Sequence, residues 1–155
     1  MDDRDFMEAA ISIARDGIKD GQSPFGACIA KGGKIISCEH NKVWKNSDAT
    51  AHAEIEVIRA ACGNLKSIDL SGCMIYSTTE PCPMCFSAIH WAKISVIFYG
   101  ATIEDAKKYG FSELEIKNRT MEKVGGQKIP LRPGFMRDEC VALFKEWKKA
   151  KGKSY

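Results

Sequence analysis

The chain has no apolar run approaching membrane-spanning length, no internal repeat, no low-complexity stretch and no strong charge of either sign. A spanning helix needs about 20 consecutive apolar residues, so none is expected. Without a repeat period, solenoid and propeller architectures are excluded. A formal net charge of +3 over 155 residues does not require a polyanionic partner. Much of the basic excess falls in Lys145-Glu146-Trp147-Lys148-Lys149-Ala150-Lys151-Gly152-Lys153, where cations suit the C-terminal end of a helix, and a solvated helix end is favoured there over a nucleic-acid patch. The acidic, amphipathic start reads neither as a secretory signal nor as a transit peptide, and a cytoplasmic location is expected. Seven cysteines, an odd number, suit a reducing compartment. The 45% hydrophobic content is ordinary, and the length suits one domain, residues 1–155, with a core that needs no disulfide staples.

Two short motifs carry the chemistry. Thr50-Ala51-His52-Ala53-Glu54 offers an imidazole and a carboxylate two residues apart, and Pro81-Cys82-Pro83-Met84-Cys85 offers two thiols three residues apart. On a first helical turn, that thiol spacing puts both sulfurs on one face, where backbone N–H groups favour the thiolate. Neutral His52 adds a third donor of the softness zinc accepts. Three protein ligands leave a fourth tetrahedral position for water or hydroxide, since zinc lowers the pKa of bound water to about 7. Glu54 then becomes the proton carrier. A closed structural zinc knot would need a fourth protein ligand; Cys28, Cys38, Cys62, Cys73, Cys140, His40 and His90 are available, but none has convincing ligand spacing. A redox role for the cysteine pair is weaker, because nothing around it resembles that fold.

Hydrophobic periodicity predicts a helix over 3–20, a hairpin of 27–30 and 35–38 around Gly32-Gly33, and a helix capped by Thr50 that stops at Gly63. Strands at 73–78 and 96–99 flank a helix at 83–91, a short helix is expected near 104–109, and a last helix covers 136–150. The alternation predicts an α/β domain with a central mixed sheet and helices on both faces, the metal lying between two helix starts. The stretch before residue 128 has no clear period.

The pairing of H-x-E with P-C-x-x-C is the pattern of zinc-dependent nucleobase deaminases. On these residues the chain resembles the cytidine-deaminase-like superfamily, and within it is most similar to the small bacterial-type guanine deaminases. Ser23-Pro24-Phe25-Gly26-Ala27, Asn41, Ala88-Ile89-His90-Trp91-Ala92, Gly110-Phe111-Ser112-Glu113 and a tail ending at Tyr155 add to the resemblance. It implies a three-layer α/β/α fold, one zinc per subunit, a homodimer, and attack at C2 of guanine to give xanthine and ammonia, with Glu54 protonating N3 and then the departing amine. It also implies that Asn41 and Glu113 read the base edge. Related guanine deaminases carry aspartate where Glu113 stands, which puts the geometry of that contact in question. The C-terminal segment, about 135–155, would be helical and close over the site with Tyr155 at its tip, in some members exchanged between subunits.

Simpler readings stand beside these. Asn41 suits a turn after a strand, Glu113 a solvated loop, and Phe25 and Trp91, candidates for stacking on a base, could equally pack in the core. His90 is expected off the cysteine face. The nearest rival activity is a tRNA adenosine deaminase, which shares both zinc motifs; a glycine- and alanine-rich segment typical of those enzymes is replaced here by Gly100-Ala101-Thr102-Ile103-Glu104-Asp105-Ala106-Lys107-Lys108. A cytosine or nucleoside deaminase and a zinc-stabilised binding module complete the alternatives.

Overall fold

The computed structural model describes residues 1–155. In chain order its elements are α1 (Asp3–Lys19), β1 (Gly26–Lys31), β2 (Lys34–His40), α2 (Val43–Asn46), α3 (Ala53–Leu65), β3 (Met74–Thr79), α4 (Pro83–Trp91), β4 (Val96–Ala101), α5 (Ile103–Lys108), α6 (Asn118–Gly125), β5 (Leu131–Pro133) and α7 (Arg137–Lys149). The five strands form one sheet in the order β2-β1-β3-β4-β5. β1 pairs antiparallel with β2 and β3, while β3, β4 and β5 run parallel. The sheet is therefore mixed, as the sequence predicts.

Alternating side chains divide the interior into two layers. Cys28, Ala30, Tyr76 and Phe98 face a core built with Phe6, Met7, Leu143 and Phe144 from α1 and α7. Ala27, Ile29, Ile75 and Ile97 face the opposite core, with Val57 and Ala61 of α3 and Phe86 and Ile89 of α4. The result is the three-layer α/β/α arrangement. Helix α1 lies directly on β1: a Cβ at Gly26 would come within 2.2 Å of the Ala10 carbonyl oxygen, so the close approach needs glycine there. Gly32 and Gly33, both at positive φ, make the two-residue turn of the β1–β2 hairpin.

Several boundaries differ from the sequence reading. Thr50 does not cap α3; its N–H and hydroxyl both donate to Asp48 Oδ1, at 2.8 and 2.7 Å, and His52 stands in the capping position. Gly63 does not take the positive φ of a helix stop, so the helix passes through it to Leu65 and ends where Lys66 turns left-handed at φ 50°. Three elements lacked a sequence signal, the first being α2, a helix of four residues. Helix α6 is polar and short, and β5 is three residues ending in proline, fixed by its pairing along β4. No helix is long and apolar enough to cross a membrane.

Candidate active site

The parallel strands β3 and β4 end on the same side of the sheet, and that is where α3 and α4 begin. His52 occupies the residue before α3, and Cys82 the residue before α4, in an extended conformation (φ −63°, ψ 167°). Pro83 starts α4 without loss, since the first N–H of a helix has no partner inside it. Cys85 follows in the first turn and is fully buried. The chain thus delivers three donors to one point from two helix starts. His52 Nδ1 lies 3.7 Å from Cys82 Sγ and 3.6 Å from Cys85 Sγ, and the three donor atoms lie within 4.8 Å of one another.

Those separations fit a tetrahedral ion, for which bonds of about 2.0–2.3 Å imply donor–donor edges of about 3.5–3.8 Å. The electrostatics agree. A hydrogen bond from Cys85, aided by His52 and opposed by burial, lowers the Cys82 thiol to about 4, whereas the same hydrogen bond and burial push Cys85 well up. The surroundings thus favour the thiolate form of Cys82 over that of Cys85, and a divalent cation held between them would favour it for both. Two sulfurs and one imidazole suit zinc, and His52, Cys82 and Cys85 are close enough together to hold such an ion.

Glu54 sits on the first turn of α3, 6% exposed. Burial raises its pKa, with the neighbouring His52 opposing the shift. Its Oε2 accepts from the Cys85 thiol at 3.6 Å, and its Oε1 lies 3.1 Å from Ser77 Oγ. Ser77 Oγ is also 2.7 Å from the Thr79 carbonyl oxygen. One hydroxyl has one proton but two lone pairs. Ser77 can therefore donate to ionised Glu54, or donate to Thr79 while accepting from protonated Glu54. Sequence reasoning missed Ser77, which stands with Thr78 and Thr79 at the polar end of β3.

Asn41 is fully buried just beyond β2. Its Oδ1 accepts from the Val43 N–H at 3.1 Å, and its Nδ2 donates to the Tyr155 hydroxyl at 2.7 Å. Phe25 and Glu113 join Asn41, His52, Glu54 and Cys82 around a small polar recess of about 20 Å³, room for about one water molecule. The recess opens into a mouth of about 250 Å³ with Met84, Phe111 and Tyr155 on its sides and His52, Cys82 and Glu113 as the shared wall. Burial, with the negative charge of Cys82 and Glu54 behind it, pushes Glu113 up to about 7. Phe25 is at once a wall of the recess and part of the core, packed edge-on to Phe111 at 4.8 Å and Phe144 at 5.8 Å.

The structure does not bring Trp91 to this place. It lies at the far end of α4, 80% exposed, beside His90 in a separate cleft with Met121. It is the last residue of the nine-residue helix whose start carries the cysteines, so an aromatic near them in sequence is distant in space within this chain. Glu80 and Asn118, also unforeseen, tie the cysteine loop to the Glu113 loop: Glu80 Oε1 accepts from the Asn118 N–H at 2.9 Å, and Asn118 Nδ2 donates to the Pro81 carbonyl at 2.6 Å.

Comparison with known proteins bears on this geometry. Residues 1–101 match the family model of the cytidine and deoxycytidylate deaminase zinc-binding region. The chain is 36% identical over 149 residues to a guanine deaminase of Bacillus subtilis, spanning 96% of this chain and 95% of the relative. It is 34% identical over 146 residues to a tRNA-specific adenosine deaminase of Buchnera aphidicola, spanning 94% and 93%. A solved guanine deaminase from Nitrosomonas europaea matches with a TM-score of 0.88 at 26% identity, over 96% of this chain and 85% of that one.

Proposed function

We propose that this chain, which belongs to the cytidine and deoxycytidylate deaminase family of zinc-binding hydrolases, acts on a free purine base and converts guanine and water to xanthine and ammonia. One observation carries the choice of substrate. The C-terminal tail returns across the site of its own chain, and Tyr155 seats its hydroxyl 2.7 Å from Asn41 Nδ2, leaving a mouth of about 250 Å³. Such a space suits a single planar base, being at or below the small end of ligand pockets, about 300–1,000 Å³. A strand-borne base would have to displace the tail.

Zinc, when bound by His52, Cys82 and Cys85, supplies Lewis-acid activation of the attacking water. Glu54 takes the first proton of that water on its carboxylate and delivers it to N3 as the oxygen bonds to C2. It then takes the remaining hydroxyl proton and delivers it to the amine, and the C2–N bond breaks with the electron pair leaving on ammonia. Ser77 steadies both protonation states of Glu54. Glu113 accepts from the N1–H and the amino group, and the remaining amide hydrogen and lone pair of Asn41 address the purine edge. Phe25 forms the floor, and the tail excludes bulk water.

The relative in Buchnera supports a second reading, a tRNA adenosine deaminase. Ammonia release by the zinc-loaded protein from guanine, guanosine, adenine and cytosine, with inosine formation in tRNA measured alongside, separates the two. Guanine is expected to be turned over fastest; inosine in tRNA with no ammonia from guanine would overturn the proposal. The reading extends to a cytoplasmic homodimer, in keeping with seven unpaired thiols and with the exposure of Trp91 on α4 and of Val124 on α6. Because Tyr155 reaches Asn41 of its own chain, exchange of tails is not needed to complete the site. Light scattering checks the dimer.

A further inference from the structure

The attachments of the tail fall into two groups. Tyr155 touches the pocket itself, through Asn41 Nδ2 at 2.7 Å and through its carbonyl oxygen, which accepts the Ser112 N–H at 3.3 Å. Further back the tail is held from outside the pocket. The Trp44 indole N–H donates to the Lys153 carbonyl oxygen at 3.1 Å, the Lys153 ammonium lies 5.6 Å over the Trp44 ring, and the same ring meets Tyr155 edge-on at 6.2 Å. Trp44 lines neither the recess nor the mouth.

Trp44 is 41% exposed on α2, a helix of four residues whose buried side chain is Val43. What the indole does there is cover the tail. Helix α2 begins two residues after Asn41, whose Oδ1 accepts the Val43 N–H, so Trp44 and Asn41 belong to one hydrogen-bonded turn. The tail is thereby placed by the same turn that places the amide its tyrosine meets.

We propose that Trp44 is a positioning residue that latches the C-terminal tail over the pocket of its own chain, setting Tyr155 against Asn41 and governing how firmly a base is retained. It touches no reacting atom. One exposed hydrogen bond, one cation–π contact and one edge-on aromatic pair make a fastening weak enough to open and close in every cycle. The inference rests on the reading of the tail as a lid over the site.

The test uses the full-length, zinc-loaded protein and the base it deaminates fastest. In Trp44→Ala, a carboxypeptidase should release Tyr155 about tenfold faster or more, and KM should rise about tenfold with a smaller change in kcat, zinc content and melting temperature staying as in the parent. Trp44→Phe, which keeps the ring but loses the N–H, should fall between. In a protein lacking residues 152–155, Trp44→Ala should change nothing further. Unchanged release of Tyr155, or an equal kinetic loss with and without the tail, overturns the latch. If removal of the tail slows turnover while Trp44→Ala does not, Trp44 is excluded and the lid survives; if removal of the tail itself leaves the kinetics intact, the lid reading falls.

Discussion

The wall that carries His52, Cys82 and Cys85 consists of two helix starts seated on the ends of parallel strands, while the wall facing it consists of connections: the turn after β2, the loop between α5 and α6, and the C-terminal tail. On the first wall each donor is fixed by backbone that also serves the sheet or a helix. On the second, Asn41, Glu113 and Tyr155 are fixed by hydrogen bonds and aromatic contacts between segments, such as Asn41 to Tyr155 and Trp44 to Lys153. Chemistry held by secondary structure is expected to be all-or-none, and recognition held by loops to be graded.

The largest effect should come from the first wall. Glu54→Gln keeps a hydrogen-bonding shape but has no basic oxygen, so metal should remain while turnover falls on the order of 10³-fold. His52→Ala and Cys82→Ala should instead lose the metal. Metal analysis beside ammonia release distinguishes the two, and parent-like turnover in Glu54→Gln would remove the carboxylate from the proton path.

Next come the residues facing the base. Glu113→Ala and Asn41→Ala should each lower kcat/KM on guanine by more than tenfold, since leaving a buried polar partner unmet costs about 1–3 kcal/mol, with metal content unchanged. Equal, near-parent kinetics in both would dissolve the contrast between a catalytic and a recognising wall.

The same contrast decides what could be read in the sequence. The zinc donors and Glu54 lie in two compact motifs whose spacing has direct meaning on a helix start, and the flanking strands are long and apolar enough to show their period. Asn41 and Tyr155 meet across 114 positions, and Trp44 and Lys153 across 109, so their pairing is written in the tertiary fold and in no local pattern. Resemblance to a family, and not periodicity, put Asn41, Glu113 and Tyr155 on the page. Trp91 was a candidate for stacking as an aromatic close to the cysteines in sequence, and the length of α4 carries it away within its own chain. Ser77 escaped because a serine on a buried strand has no signal until its neighbours are known.

The root of the tail offers a smaller perturbation. Gly152 lies flat on the buried Trp147 indole, where a Cβ would fall 1.9 Å from Nε1. Trp147 belongs to the core and cannot swing aside. Gly152→Ala should therefore lift the tail without removing any residue from it, and turnover on guanine should drop several-fold, towards the value for a protein lacking residues 152–155. Zinc content and melting temperature should hardly move. If Gly152→Ala matches the parent while the truncation does not, the tail tolerates a displaced root and only its tip matters.

The smallest effect concerns how the recognising wall is fastened to the domain. Asp105 of α5 faces Arg137 at the start of α7, with guanidinium nitrogens 2.6 and 3.0 Å from its carboxylate. Burial works against the charge, but Arg137 and the Thr102 N–H outweigh it and hold the carboxyl at about 2. A carboxyl that titrates near 3.9 in the unfolded chain and lower in the folded one stabilises the fold above the unfolded value, and that stabilisation is lost as pH falls through the folded one. Arg137 is partly exposed, so screening limits the contribution to about 1 kcal/mol. Asp105→Asn should therefore lower the melting temperature by a few degrees at pH 6, and the gap from the parent should close as pH falls from 5 towards 2. Zinc chemistry at neutral pH should be unaffected, because α5 and α7 contribute no donor to the metal. A gap that stays constant down to pH 2 would show that the two helices are held by packing and not by this ion pair.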